Sequence, residues 1–178
     1  MIRLFVGIAL PPELKLRLST LTGGLPGAKW VDTGNLHLTL RFIGEIDEGL
    51  AADIDEALLQ IRAHAFDLEL AGVGQFGAGE KTRSLWVGVE RNERLLQLHD
   101  KVEHALTRVG IAPEMRKYSP HVTLARFKYV HAARVQEFIE RHALFRAPPF
   151  RVDHFSLVAS YLTKGGPIYE DKADYRLA

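Results

Sequence analysis

The period of apolar and polar positions changes repeatedly along the 178-residue chain, and each change marks an element. Residues 2–9, Ile2-Arg3-Leu4-Phe5-Val6-Gly7-Ile8-Ala9, are apolar almost throughout, which predicts a buried first strand. Pro11-Pro12 opens a helix through Leu14, Leu18 and Leu21, and Gly23-Gly24 ends it. A short strand at Lys29–Val31 and a turn at Asp32–Asn35 lead into a strand over 36–43, closed by Gly44. Leu50, Ile54, Leu58 and Ile61 recur at helical spacing and predict a helix at about 47–63. Phe66–Leu70 alternates like a strand, whereas Gly72–Glu80, with four glycines, predicts a turn or mobile loop. Ser84–Glu90 then returns as the second arm of a hairpin. A helix at about 92–109 turns Leu95, Val102, Leu106 and Val109 inward, and a strand over 121–127 and a helix at about 131–143 follow. Two last strands, about 151–160 and 168–176, flank the turn Thr163-Lys164-Gly165-Gly166-Pro167. Strands in runs of two or three between single helices predict an α+β fold with antiparallel or mixed sheets, not a doubly wound parallel one.

Two of these strands carry the same short motif, His37-Leu38-Thr39-Leu40 and His121-Val122-Thr123-Leu124. Side chains two apart on a strand share a face, so each strand presents an imidazole and a hydroxyl together while its apolar residues anchor in the core. The chain has eight His, and a chance His-x-Thr is expected only ~0.4 times at this composition. Two copies, both with Leu fourth and both followed by Arg-Phe, arise by chance in roughly one chain in a thousand or fewer. The segments from Leu36 and from Pro120 align with one inserted residue, which predicts a duplication: two similar lobes, each contributing one motif strand. Two imidazoles facing each other across a cleft can divide general base and general acid in a phosphoryl transfer. The bland reading is a pair of core histidines on amphipathic strands.

Composition narrows the chemistry. With no Cys, structural disulfides, thiolate zinc sites and thiol catalysis are excluded. A net charge of +1 gives no general attraction to long nucleic acid, so an anionic ligand must be held by local charge. That charge lies between Met115 and Gln136, which contain no Asp or Glu but include Arg116, Lys117, Arg126, Lys128 and Arg134 around the second motif. No metal-binding or triphosphate-binding motif occurs, and no cofactor or metal is expected. The apolar N-terminal run is too short to span a membrane, and a cytoplasmic monomer is the default expectation.

Asn35-Leu36-His37-Leu38-Thr39-Leu40-Arg41-Phe42-Ile43-Gly44 and Ser119-Pro120-His121-Val122-Thr123-Leu124-Ala125-Arg126 resemble the paired signatures of the 2H phosphoesterases. Among these, the chain is most similar to the RNA 2′,3′-cyclic phosphodiesterases, also called 2′–5′ RNA ligases. The resemblance extends through Leu4–Ile8, Arg83–Val89 and Gly165–Tyr169. It implies two pseudo-symmetric lobes of antiparallel sheet flanking a V-shaped cleft, with helices outside. It also implies a metal-independent enzyme that opens 2′,3′-cyclic phosphates on RNA ends or small nucleotides to a 2′-phosphate, with 2′–5′ ligation as the reverse reaction. On this resemblance His121 acts as base on water, His37 as acid on the 3′-oxygen, and Thr39 and Thr123 bind the non-bridging oxygens. Alternatives on the same site are ADP-ribose cyclic phosphate, 2′–5′ oligonucleotides, or RNA-end binding without turnover.

Two arginines are candidates for the phosphate. Arg41 shares the parity of His37 and Thr39, so a regular strand points it into the cleft. Arg126 has the opposite parity to His121, yet the resemblance places a phosphate-binding arginine there, which requires a bulge or the strand's end to redirect it. Among aromatics that could stack on a base, Phe42 has core parity, while Phe127, Tyr118, Tyr161 and Tyr169 stay open.

Overall fold

Strand β1 (Ile2–Ala9) lies in the middle of a sheet, and its Leu4, Phe5, Val6 and Ile8 are all buried. The computed structural model describes residues 1–178. Beside β1 run β3 (His37–Ile46) and β9 (His154–Thr163), and β10 (Gly166–Arg176) forms the edge next to β9. A second four-stranded sheet is built from β2 (Ala28–Trp30), β7 (His121–Phe127), β6 (Ser84–Val89) and β5 (Leu70–Phe76), in that order. The short strands β4 (Phe66–Leu68) and β8 (Phe150–Val152) pair with each other, and every pairing is antiparallel. One motif strand therefore lies in each large sheet, and β3 and β7 meet where the sheets approach.

The four helices are α1 (Pro12–Ser19), α2 (Glu48–Leu59), α3 (Glu93–Arg108) and α4 (Ala132–His142). Asp47 and Asn92 cap α2 and α3, their side chains accepting from the Leu50 and Leu95 amides at 2.7 and 3.1 Å. Their apolar stripes, such as Ile54 and Leu58 on α2, join both sheets in one core of 36 buried residues. No helix is long and apolar enough to cross a membrane.

The duplication has a constant step. His37 and His121 are 84 residues apart (121 minus 37), and the same step carries α2 onto α4, β4 onto β8 and the start of β5 onto the start of β9. The repeats exchange their last strands. β5 of the first repeat pairs with β6 beside the second motif, and β9 of the second pairs with β1 beside the first.

Two expectations are corrected by this arrangement. Gly72–Glu80 is not a loop: β5 runs through Gly72 and Gly74 to Phe76, and only the stretch before β6 turns. Gly74 is glycine because the Trp86 ring covers it, and a Cβ there would meet that ring at 2.4 Å. The strand over Phe66–Leu70 is also not the hairpin partner of Ser84–Glu90. It divides at Glu69, its first part pairing with β8 while β5 takes the hairpin.

Candidate active site

The two motif strands share a defect that decides which side chains reach the cleft. In β3, Thr39 pairs with Gly7 and Arg41 with Val6, so Leu40 is an extra residue. In β7, Thr123 pairs with Trp86 and Ala125 with Leu85, so Leu124 is extra. A bulge sends two successive side chains to one side and inverts the alternation beyond it. Leu40 and Arg41 therefore both turn inward, as do Leu124 and Ala125, while Phe42 and Arg126 swing onto the face of the histidines.

Arg126 thus reaches the cleft by the redirection its parity required. Arg41 does not: the expectation that it follows His37 into the cleft is overturned by the same bulge. Its side chain is 9 % exposed, and its Nε lies 2.5 Å from Glu103 Oε1, neither atom having another partner. It also donates to the carbonyls of Phe42 at 2.7 Å and Ala112 at 2.5 Å. The two Arg-Phe pairs are consequently not equivalent, and no inserted residue separates the repeats: Arg41 corresponds to Ala125, and Phe42 to Arg126. Phe42, given core parity by the sequence, is 63 % exposed at the cleft.

His37, Thr39, His121, Thr123 and Arg126 line one pocket of about 90 Å³, closed by Phe42, Asn35, Val31 and Tyr169. The two imidazoles are held alike. His37 Nδ1–H donates to the Asn35 carbonyl at 2.7 Å, and His121 Nδ1–H to the Ser119 carbonyl at 2.7 Å. A carbonyl only accepts, so each Nδ1 keeps its proton and each Nε2 is left for chemistry. His37 Nε2 is 2.9 Å from the Thr39 hydroxyl. Aromatic rings fix both planes: Phe5 stacks on His37 at 4.7 Å with Tyr169 edge-on at 5.3 Å, and Phe76 stands edge-on to His121 at 4.7 Å.

Both imidazoles sit below their ordinary pKa of 6.5. Burial is the main cause in each, and the positive charge of Arg126 adds to it, against the carbonyl bonds that favour the charged ring. Arg126 therefore acts electrostatically on both histidines and has no carboxylate partner among the ion pairs. No three His, Cys, Asp or Glu side chains converge in a metal-ligating group.

Sequence reasoning missed Phe5, Asn35, Phe76 and Trp86. The apolar run of β1 hides that Phe5 lies under His37, and Asn35 works through its backbone carbonyl while its amide donates to the Pro167 carbonyl at 2.9 Å. Behind His37 a second cavity of about 260 Å³ shares Asn35, His37 and Tyr169 with the first and is reached by Lys15 and Asp171. Tyr118 serves as a tie: its hydroxyl donates to the Thr39 carbonyl at 2.9 Å and its ring stacks on His99 at 3.9 Å. Tyr161 and Phe127 stay outside the pocket.

The sequence profile of the 2′-5′ RNA ligase superfamily matches residues 10–163. The RNA 2′,3′-cyclic phosphodiesterase of Aeropyrum pernix is 37% identical over 166 residues, covering 92% of this chain and 94% of that one. Its counterpart of the same name from Thermotoga maritima is 35% identical, covering 94% and 91%. Among solved structures, TT0787 of Thermus thermophilus superposes with a TM-score of 0.83 at 25% identity, covering 98% of this chain and 97% of that one. E. coli LigT complexed with 3′-AMP gives 0.80 at 26% identity, covering 99% and 98%.

Proposed function

The chain belongs to the 2′-5′ RNA ligase superfamily, and on that premise we propose that its cleft hydrolyses the 2′,3′-cyclic phosphate of an RNA end or nucleotide to a 2′-phosphate, without a metal. The observation that carries the reading is the matched pair of imidazoles, each with Nδ1 committed to a backbone carbonyl, on residues that line the pocket Arg126 enters. A binding module would use Arg126 and the hydroxyls but would have no need of two imidazoles locked in the same tautomer. The E. coli LigT complex with 3′-AMP supports a nucleotide in this cleft.

In the proposed reaction His121 is neutral, and its Nε2 accepts a proton from the attacking water as the new O–P bond forms. His37 is protonated, and its Nε2–H passes to the 3′-oxygen as the P–O3′ bond breaks, leaving a 3′-hydroxyl and a 2′-phosphate. This division follows the family resemblance; the Thr39 hydroxyl beside His37 Nε2 fits either state of the ring, accepting from it when charged and donating to it when neutral. Burial favours neutral rings in the empty pocket, and a bound phosphate reverses that preference for one of them. Thr39, Thr123 and Arg126 face the non-bridging oxygens and stabilise the charge that builds on them. Phe42 and Tyr169 offer apolar faces to the nucleoside.

The test is a short RNA ending in a 2′,3′-cyclic phosphate, incubated in EDTA with the wild-type protein, His37→Ala and His121→Ala. A product bearing only a 2′-phosphate is expected from the wild type, with turnover at least ~100-fold lower in each variant. Wild-type binding without turnover, or near-normal turnover in either variant, would reject this mechanism.

A further inference from the structure

Arg126 has a neighbour whose charge nothing in the fold explains. Lys29 on β2 pairs directly with Arg126 on β7, so the two side chains leave the sheet on the same face, their Cα atoms about 5 Å apart. That face is the cleft. Trp30, next in sequence, points the other way onto Phe138 of α4 at 5.8 Å, and Val31, two residues from Lys29, lines the pocket with Arg126. Lys29 and Arg126 are both exposed, and neither forms an ion pair. The next residue across the sheet from Arg126 is Ser84, and the surrounding stretch 115–136 contains no acid.

Like charges directly opposite one another on a sheet destabilise it. Here two cations stand side by side with no carboxylate between them, at the mouth of a pocket that one of them enters. Solvent screens these two exposed charges in part and an anion from outside would relieve them further; Arg126 lines the pocket, whereas Lys29 stands beside it. We propose that Lys29 binds the internucleotide phosphate one step upstream of the reacting one, so that Lys29 and Arg126 grip consecutive phosphates of a single RNA strand. The inference rests on the functional reading above and extends it: the cleft distinguishes the end of an RNA chain from a lone cyclic nucleotide by counting a second negative charge. Paired cations following a backbone are a general means of holding single strands without reading their bases.

The test uses three substrates: adenosine 2′,3′-cyclic phosphate, the dinucleotide ApA ending in the same cyclic phosphate, and that dinucleotide with an uncharged methylphosphonate linkage. In Lys29→Gln, the ratio of kcat/KM for the dinucleotide over the mononucleotide is expected to fall about five-fold at low salt. With the neutral linkage the substitution should leave that ratio unmoved, and the salt dependence for the charged dinucleotide should flatten by about 0.7 in log–log slope. A parallel loss on all three substrates would place Lys29 on the reacting phosphate and overturn the subsite, as would an unchanged ratio. A wild-type protein inactive on every substrate would instead overturn the hydrolytic reading, and the subsite with it.

Discussion

Replacing Arg41 by Ala separates the structural arginine from the one in the cleft. The change removes the partner of Glu103, which is only 17 % exposed, and takes away the donor held by the Phe42 and Ala112 carbonyls. Breaking a buried pair by deleting one member costs about 3–5 kcal/mol, and the residual exposure of Glu103 puts this case near the lower end, at about 3 kcal/mol. For a chain of this length that corresponds to a fall in Tm of about 6–12 °C. Activity should behave differently, because the guanidinium points away from the histidines. Well below the transition, Arg41→Ala should keep kcat/KM close to wild type, whereas Arg126→Ala should lose about a hundred-fold as a phosphate-facing donor. Replacing Arg41 and Glu103 together by Met should return much of the lost stability, since an apolar pair carries no desolvation cost. Calorimetric melting beside initial rates on a 2′,3′-cyclic nucleotide measures both quantities. An Arg41→Ala variant that melts like wild type but loses turnover as Arg126→Ala does would show that Arg41 faces the substrate, and the bulge argument would fail.

Other outcomes follow from the same geometry. Tyr118→Phe removes the hydroxyl held on the Thr39 carbonyl but keeps the ring on His99, so stability should fall by about 1 kcal/mol and kcat by a few-fold at unchanged KM. Unchanged kcat would leave Tyr118 a purely structural tie. NMR titration of the free protein should place both His37 and His121 below 6.5, and a bound phosphate should raise them, so the kcat profile lies to the alkaline side of the kcat/KM profile. A free-protein titration above 6.5 for either ring would contradict the burial argument. Because the folded rings bind protons less readily than the unfolded ones, their contribution to stability is complete above about pH 6.5 and is lost as the pH falls through their lower folded values. Denaturant midpoints measured across that range test the sign. Turnover should persist in EDTA; loss restored by a divalent cation would refute the metal-free scheme.

The elements with strong local periodicity were legible from sequence. β1 reads as buried from its unbroken apolar run, α3 from Leu95, Val102 and Leu106, and both motif strands from the alternation around His37 and His121. The failures share one cause, which is that strand partners are chosen at long range. Nothing near Leu40 announces a bulge: the extra residue exists because Thr39 must face Gly7 while Arg41 faces Val6. A parity argument therefore sends Arg41 into the cleft and Phe42 out of it. Gly72 and Gly74 read as loop residues because the Trp86 ring that covers Gly74 comes from another strand. Arg126 reaches the cleft in the sequence reading only because the family resemblance demands a bulge that the residues themselves do not signal.

The exchange of strands between the repeats sets a timetable for synthesis. Leu4–Gly7 find their second neighbour in residues 156–159, which leave the ribosome long after them. Until then β1 has an open, apolar edge, the kind of surface that recruits stray strands and marks a chain for chaperones. Closure over so long a separation also slows folding, because the entropy of the intervening chain is lost before the contacts form. Until β10 is made, the nascent protein carries its first histidine without the strand whose Tyr169 closes the pocket around it. A premature stop or a proteolytic nick before β9 would release a sticky fragment with an unfinished cleft, not a half-active enzyme.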